Sequence, residues 1–164
     1  AKSIPQIQAI GKKVFQKYGE RLLKDIYAFP GWERLSEISE SEFRSLKLGY
    51  RAKYVAKSAQ IIVSRKGWLE SIPELSYEKA KKELLCLPGV GEKVADCVLL
   101  FGGNFLEAFP IDTWIEKSME KRYCLHGWNS NQKIHFARIH FGKFAGLAQQ
   151  FLFSAERLGF LEDL

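Results

Sequence analysis

The chain has 164 residues, 46% of them hydrophobic, enough to bury one core and too apolar for a disordered tail. No run approaches the roughly 18 apolar residues of a membrane span, and no basic-then-apolar leader opens the chain, so the expectation is an intracellular soluble protein without a membrane partner. Lys and Arg number 25 against 19 Asp and Glu, for a formal charge of +6, which suits an anionic partner such as nucleic acid without requiring one.

Apolar residues recur at helical spacing along most of the chain. The first pattern begins at about Ile4 and continues through Ile7, Ile10, Val14 and Tyr18 to a break at Gly19. The abrupt start, without an initiator methionine, reads as a fragment. Further breaks fall at Pro30-Gly31, Gly49, Gly67 and Pro73, with Val55, Ala59 and Ile62 marking a helix between two of them. After Pro88 to Gly91, Gly102-Gly103, Pro110 and Gly127, a last helix carries Phe144, Leu147, Ala148, Phe151, Leu152 and Ala155. Strand-like alternation is nearly absent. The pattern predicts an all-α orthogonal bundle of short helices, taken as one helical domain over residues 1–164, without repeats or low-complexity linkers.

Cys86, Cys97 and Cys124 form an odd, sparse set that suits a reducing compartment. Their spacing matches no zinc or iron–sulfur pattern. His126, His135 and His140 likewise have no metal-ligand spacing.

The chemistry concentrates between Leu84 and Lys117. A helix ending at Leu84-Leu85-Cys86-Leu87 runs into Pro88-Gly89-Val90-Gly91, and a second helix follows from Glu92. Proline cannot continue the first helix, and the two glycines permit positive φ and close backbone approach. The second helix then starts with unpaired N–H groups, where a DNA phosphate fits. Taken without its neighbours, this motif is more simply an ordinary tight αα-turn. Lys93 lies in the first turn of the second helix, where the dipole disfavours a cation; partial burial would add to that effect and poise an amine nucleophile. Otherwise it is a solvated surface lysine. Asp112 follows Pro110 and precedes Thr113-Trp114-Ile115-Glu116-Lys117, the position of an N-cap. A carboxylate capped in this way stays anionic, as stabilising an oxocarbenium-like sugar demands.

With Lys93 and Asp112 in one hairpin-plus-cap context, the sequence resembles the helix-hairpin-helix (HhH-GPD) DNA glycosylases, in particular the 8-oxoguanine glycosylases of bacterial type. Residues 87–97, LPGVGEKVADC, are similar to that family's hairpin, and residues 109–114, FPIDTW, to its aspartate loop. The resemblance runs from about Ile4 to about Glu156. It implies that Lys93 attacks the deoxyribose C1′, expels the damaged base and forms a Schiff base, and that β-elimination then nicks the strand. Asp112 would stabilise the developing positive charge.

By the same resemblance Cys97, Gln149 and Phe153 form the base pocket: Cys97 under the lysine, Gln149 bonded to the base's Watson–Crick edge, Phe153 stacked on its face. From periodicity alone Cys97 is a small buried apolar residue, Phe153 is core and Gln149 exposed. Tyr50 would be the wedge beside the vacated site and Arg51 would reach the opposite base, although both also read as the start of an amphipathic helix. Gly89, Val90, Gly91 and Glu92 would hold the DNA backbone, and the carbonyls of Leu85, Leu87 and Val90 a monovalent cation, K+ or Na+. No other cofactor is implied, and no iron–sulfur cluster, since no cysteine lies beyond Cys124. The implied partner is double-stranded DNA containing 8-oxoguanine, bound by a monomer inside the cell, in a bacterial cytoplasm or nucleoid.

The chain also departs from the family. The family's N-terminal β-rich domain has no counterpart before these helices. Ala1 stands in place of an asparagine that contacts the opposite base, Gln6 in place of a eukaryotic arginine, and Trp114 in place of a eukaryotic histidine. Two other readings compete: a non-catalytic helix-hairpin-helix module that only grips DNA, and a glycosylase for another damaged base.

Overall fold

Short helices follow one another because glycine, proline or a polar cap interrupts the chain every dozen residues or so. The computed structural model describes residues 3–160, so Ala1 lies outside them. The described residues form two compact units: 3–70 together with 87–89, and 71–86 together with 90–160.

The first unit opens with α1, Ile4–Tyr18, begun by Pro5 and by Gln6 Oε1 accepting from the Ser3 N–H at 3.0 Å. Gln6 thus serves as a cap. Two short antiparallel strands follow, β1 (Arg21–Leu23) and β2 (Ile26–Tyr27). Gly19 permits this return, because a Cβ there would lie 2.0 Å from the Ala28 carbonyl. The strand pair is a departure from the all-helical expectation. It is too short for the period-2 signal that betrays strands in sequence, and its side chains are mostly exposed.

Helices α2 (Trp32–Ser36), α3 (Glu40–Ser45) and α4 (Ala52–Ser64) then pack Leu35, Ile38, Phe43, Ala52, Ala56 and Ala59 into one core, with Tyr18, Leu48 and Val55 against it. Ser39 and Glu42 form a reciprocal capping box at the start of α3. Three alanines on one face of α4 let it approach closely. The hairpin turn belongs here too: Gly89 has φ +76°, and a Cβ on it would sit 2.4 Å from the Tyr54 ring. Gly91 needs neither property, since its φ is −104° and nothing lies within 4 Å of a Cβ built on it.

The second unit holds α6 (Tyr77–Leu85), α7 (Glu92–Gly102), α8 (Thr113–Tyr123), α9 (Ser130–Phe141) and α10 (Ala145–Leu158); α5, Trp68–Ser71, leads the chain into it. Phe109, Ile115, Met119, Leu125, Ala137 and Ala145 form its core, with Leu152 and Phe153 packed against them. The start of α10 is docked by Gly146, whose N–H donates to the Leu106 carbonyl at 2.7 Å; a Cβ there would meet Leu100 at 2.4 Å and the Ala108 carbonyl at 2.5 Å. This contact turns Ala145, Gly146 and Gln149 inward and leaves Phe144, Leu147 and Phe151 exposed, not the buried stripe that the apolar spacing suggests.

Two buried ionic groups tie these helices together. Asp96, 0% exposed, accepts from Tyr77 Oη at 2.7 Å and from Lys81 Nζ at 3.0 Å, and Lys81 also pairs with Glu92 at 2.7 Å. Burial lifts the Asp96 carboxyl above its ordinary value against those bonds. Burial and the Asp96 charge also push the Tyr77 phenol to about 12. Burial pulls Lys81 down, but Glu92 and Asp96 outweigh it and hold the ammonium above its ordinary value. Lys133, its side chain fully buried, bonds Glu116 and Glu120 and joins α9 to α8. No helix among the described residues is long and apolar enough to cross a membrane.

Two measurements check this account of the fold. Gly89→Ala is expected to cost about 2–3 kcal/mol in urea unfolding, from a left-handed backbone and a clash with Tyr54; Gly91→Ala is expected to stay within about 1 kcal/mol. Asp96→Ala, which leaves the Tyr77 hydroxyl without its acceptor and Lys81 with Glu92 as its remaining carboxylate, is expected to cost about 3 kcal/mol in the same assay; a loss below about 1 kcal/mol would show that the network contributes little.

Candidate active site

The second unit contains a cleft of about 220 Å³ lined by Lys93, Cys97, Phe101, Pro110, Asp112, Gln149, Gln150 and Phe153. Three elements supply these side chains. Lys93, Cys97 and Phe101 stand at positions i, i+4 and i+8 of α7, hence along one face of that helix. Pro110 and Asp112 come from the loop that ends at α8, and Gln149, Gln150 and Phe153 from α10.

Asp112 caps α8 by accepting from the backbone N–H groups of Trp114 and Ile115 at 3.0 and 2.9 Å. Both bonds fall on Oδ1, so Oδ2 keeps its lone pairs for whatever enters the cleft. Cap and charged group are therefore the same residue. Lys93 is exposed at the cleft mouth, so the partial burial weighed from the sequence is not found. Its surroundings are nevertheless electrostatically defined. Gly91 caps α7 without a side chain, leaving the first-turn donors exposed, and Glu92 beside Lys93 is drawn away by Lys81.

Cys97 is half-buried one turn beyond Lys93. Burial pushes its thiol up, Lys93 opposes that shift, and Asp96 and Asp112 add to it. Lys93 and Cys97 are thus the two groups of nucleophilic type that line the cleft, the amine exposed and the thiol half-buried. Phe153 joins cleft and core. Gln149, by contrast, is 4% exposed, its Nε2 donating to the Pro110 carbonyl at 2.9 Å and its Oε1 accepting from Gln150. It is not the exposed residue that periodicity allows, and it lines the cleft with one N–H engaged by the loop.

The remaining sequence candidates lie outside this cleft. In the first unit, Tyr50 is 61% exposed on a 3₁₀ turn, Gly49–Arg51; Arg51 stacks 4.5 Å from its ring, and Tyr54 meets it edge-on at 6.4 Å. Of the turn and cap hydrogen bonds among the described residues, none ends on the carbonyls of Leu85, Leu87 or Val90. Sequence reasoning missed Phe101, Gln150 and Lys81. Only the i, i+4, i+8 series from Lys93 through Cys97 could have pointed to Phe101, and nothing local marks Gln150. A larger groove of about 560 Å³, lined by Glu78, Glu107, His135, Arg138 and Lys143, offers no activated nucleophile, and Arg138 there is paired with Glu78 at 3.0 Å.

Comparison with known proteins gives this arrangement a family. Residues 3–140 match the HhH-GPD superfamily base excision DNA repair protein family. The probable N-glycosylase/DNA lyase of Methanothermobacter thermautotrophicus is 38% identical over 130 residues, 79% of this chain and 41% of the relative. The N-glycosylase/DNA lyase OGG1 of Arabidopsis thaliana is 36% identical over 145 residues, 80% of this chain and 39% of the relative. Among solved structures, the Clostridium acetobutylicum 8-oxoguanine glycosylase/lyase in complex with double-stranded DNA containing cytosine opposite 8-oxoG is similar with a TM-score of 0.91 at 34% identity, covering 98% of this chain and 56% of that one. The chain thus spans about two fifths of the length of the curated relatives it matches. With a glycine-turned helix pair, a capped aspartate and a match that extends over most of its residues, the chain belongs to the HhH-GPD superfamily of base excision DNA repair proteins.

Proposed function

We propose that the protein containing this chain is a bifunctional DNA glycosylase that removes 8-oxoguanine from duplex DNA and then nicks the strand as a lyase. One observation carries the reading: an exposed helix-start amine, Lys93, shares a cleft with a carboxylate, Asp112, that is fixed by two backbone bonds and retains a free oxygen. Relatives that are N-glycosylase/DNA lyases support the double activity, and the lesion in the similar complex supports the substrate.

In this reading the base swings out of the duplex into the cleft, against the face of Phe153 and past Cys97, with Phe101 at the rim. As the C1′–N9 bond breaks, positive charge grows on the sugar and Asp112 stabilises it. Lys93 Nζ bonds to C1′, and ring opening at O4′ leaves a protonated imine. Loss of a C2′ proton then breaks the bond from C3′ to its phosphate oxygen, and the strand is nicked with that phosphate as leaving group.

The backbone donors from Gly89 to Glu92 take a phosphate. The carbonyls of Leu85, Leu87 and Val90, free of turn bonds, are the hard oxygen donors that a K+ or Na+ ion accepts, and such an ion would add positive charge for the DNA backbone. Tyr50 and Arg51 act on the duplex as wedge and opposite-base contact. The enzyme works as a monomer inside the cell, on DNA, and needs no other cofactor.

Borohydride trapping on a duplex carrying 8-oxoguanine opposite cytosine tests the reading. The protein is expected to give a covalent adduct and released base, and Lys93→Gln to abolish the adduct while duplex binding remains. Binding without adduct or released base would leave only a DNA-gripping module, and excision confined to a different lesion would reassign the substrate. Asp112→Asn preserves a capping side chain but removes the charge. It is expected to slow excision by about 100-fold or more while shifting the unfolding free energy by less than about 1 kcal/mol.

A further inference from the structure

Tyr50, Tyr54 and Ser58 follow one another at four-residue intervals through the 3₁₀ turn and into α4, and so lie along one side of that continuous stretch. Two of the three touch the hairpin turn. Gly89 lies so close against Tyr54 that a Cβ on it would stand 2.4 Å from Cγ and 2.5 Å from Cδ2 of the ring, and Ser58 Oγ donates to the Pro88 carbonyl at 3.4 Å. The third, Tyr50, is exposed at the end of the row and meets the Tyr54 ring edge-on, with centroids 6.4 Å apart and planes at 81°. Its other described ring contact is the Arg51 guanidinium, 4.5 Å away. Lys53 Nζ, 4.9 Å from the Tyr54 centroid, adds a cation to the second ring.

We infer that Tyr54 is a positioning residue that ties the wedge to the hairpin turn, holding Tyr50 at a fixed distance from the backbone that takes a phosphate; the inference rests on the wedge role proposed above for Tyr50. An exposed tyrosine samples several rotamers, and giving them up on entering a duplex adds to the cost of unstacking. Tyr54 restricts that choice beforehand. Arg51 cannot, because a guanidinium that reaches for the opposite base leaves the ring it rests on. Tyr54 has no such freedom, since the turn backbone at Gly89 lies directly against its ring. Glycine at 89 therefore has a use besides its positive φ, as the seat of the aromatic that braces the wedge. Wedge and phosphate grip are then set at one spacing rather than acting as two separate contacts.

The test uses the full-length protein, a duplex with 2-aminopurine beside a tetrahydrofuran abasic analogue, and the 8-oxoguanine duplex. Wedge entry separates the 2-aminopurine from its neighbour and changes its fluorescence; Tyr50→Ala sets the level without a wedge. Tyr54→Leu removes the ring but keeps an apolar side chain. It is expected to bring the fluorescence change close to that of Tyr50→Ala and to slow excision about tenfold, while affinity for undamaged duplex changes by less than about twofold. Tyr54→Phe keeps the ring and is expected to match the unaltered protein in all three measurements. Should Tyr54→Leu fold poorly by circular dichroism, Tyr54→Met, whose flexible side chain fills irregular gaps, takes its place. A full fluorescence change in a folded Leu or Met variant overturns the assignment. So does a loss of undamaged-duplex binding as large as the loss of excision, which makes Tyr54 a support of the turn alone. An unaltered protein whose signal equals that of Tyr50→Ala instead removes the wedge role itself, and this inference with it.

Discussion

The hydrogen bond from Gln149 Nε2 to the Pro110 carbonyl joins two stretches of chain 39 residues apart. One of them leads, two residues later, to the carboxylate of Asp112, and the other forms the wall of α10. A proline carbonyl is a good anchor because the ring limits its backbone and no N–H of its own competes for space. Beside it, Gly146 lets α10 lie against the Ala108 and Leu106 carbonyls. Without that close approach the loop would stand off from α10, and Lys93, Asp112 and Gln150 would not line a common cavity.

Charge in the second unit is managed in pairs. Asp96 and Glu92 would otherwise surround the amine of Lys93 with carboxylates from its own helix, but both are engaged by Lys81 from α6. Lys133 does the same for Glu116 and Glu120 on α8, the helix that Asp112 caps. Asp112 is thereby the carboxylate of the cleft that is bonded only through one oxygen and only by backbone. Breaking such buried pairs costs far more than the pairs contribute relative to apolar residues, so they read as devices that assign charge to particular places.

Much of this was legible in the sequence, and the reasons differ by residue. The helices announced themselves through apolar spacing and through glycine and proline breaks, and Asp112 through the simple rule that a helix following proline wants a capping oxygen. Lys93 was visible from its place in the first turn after the glycines. Its exposure is the one expected of a solvated lysine; that it also lines a cleft was not visible, because what packs across the helix has no local pattern. Gln149 was singled out, but its bond to the Pro110 carbonyl was not visible, since that carbonyl is remote in sequence. The place of Gln150 on the cleft was invisible for the same reason. The apolar spacing of α10 showed a helix but not its inward face, which is the one carrying Ala145, Gly146 and Gln149.

That glycine also limits how the cavity can vary. The start of α10, seated on the Leu106 and Ala108 carbonyls and against Leu100, has no slack to absorb an added methyl group. Broadening or narrowing of what the cavity admits therefore falls to the side chains that line it, Cys97 and Phe101 on α7 and Gln149, Gln150 and Phe153 on α10, while the placement of the helix that carries the last three stays fixed.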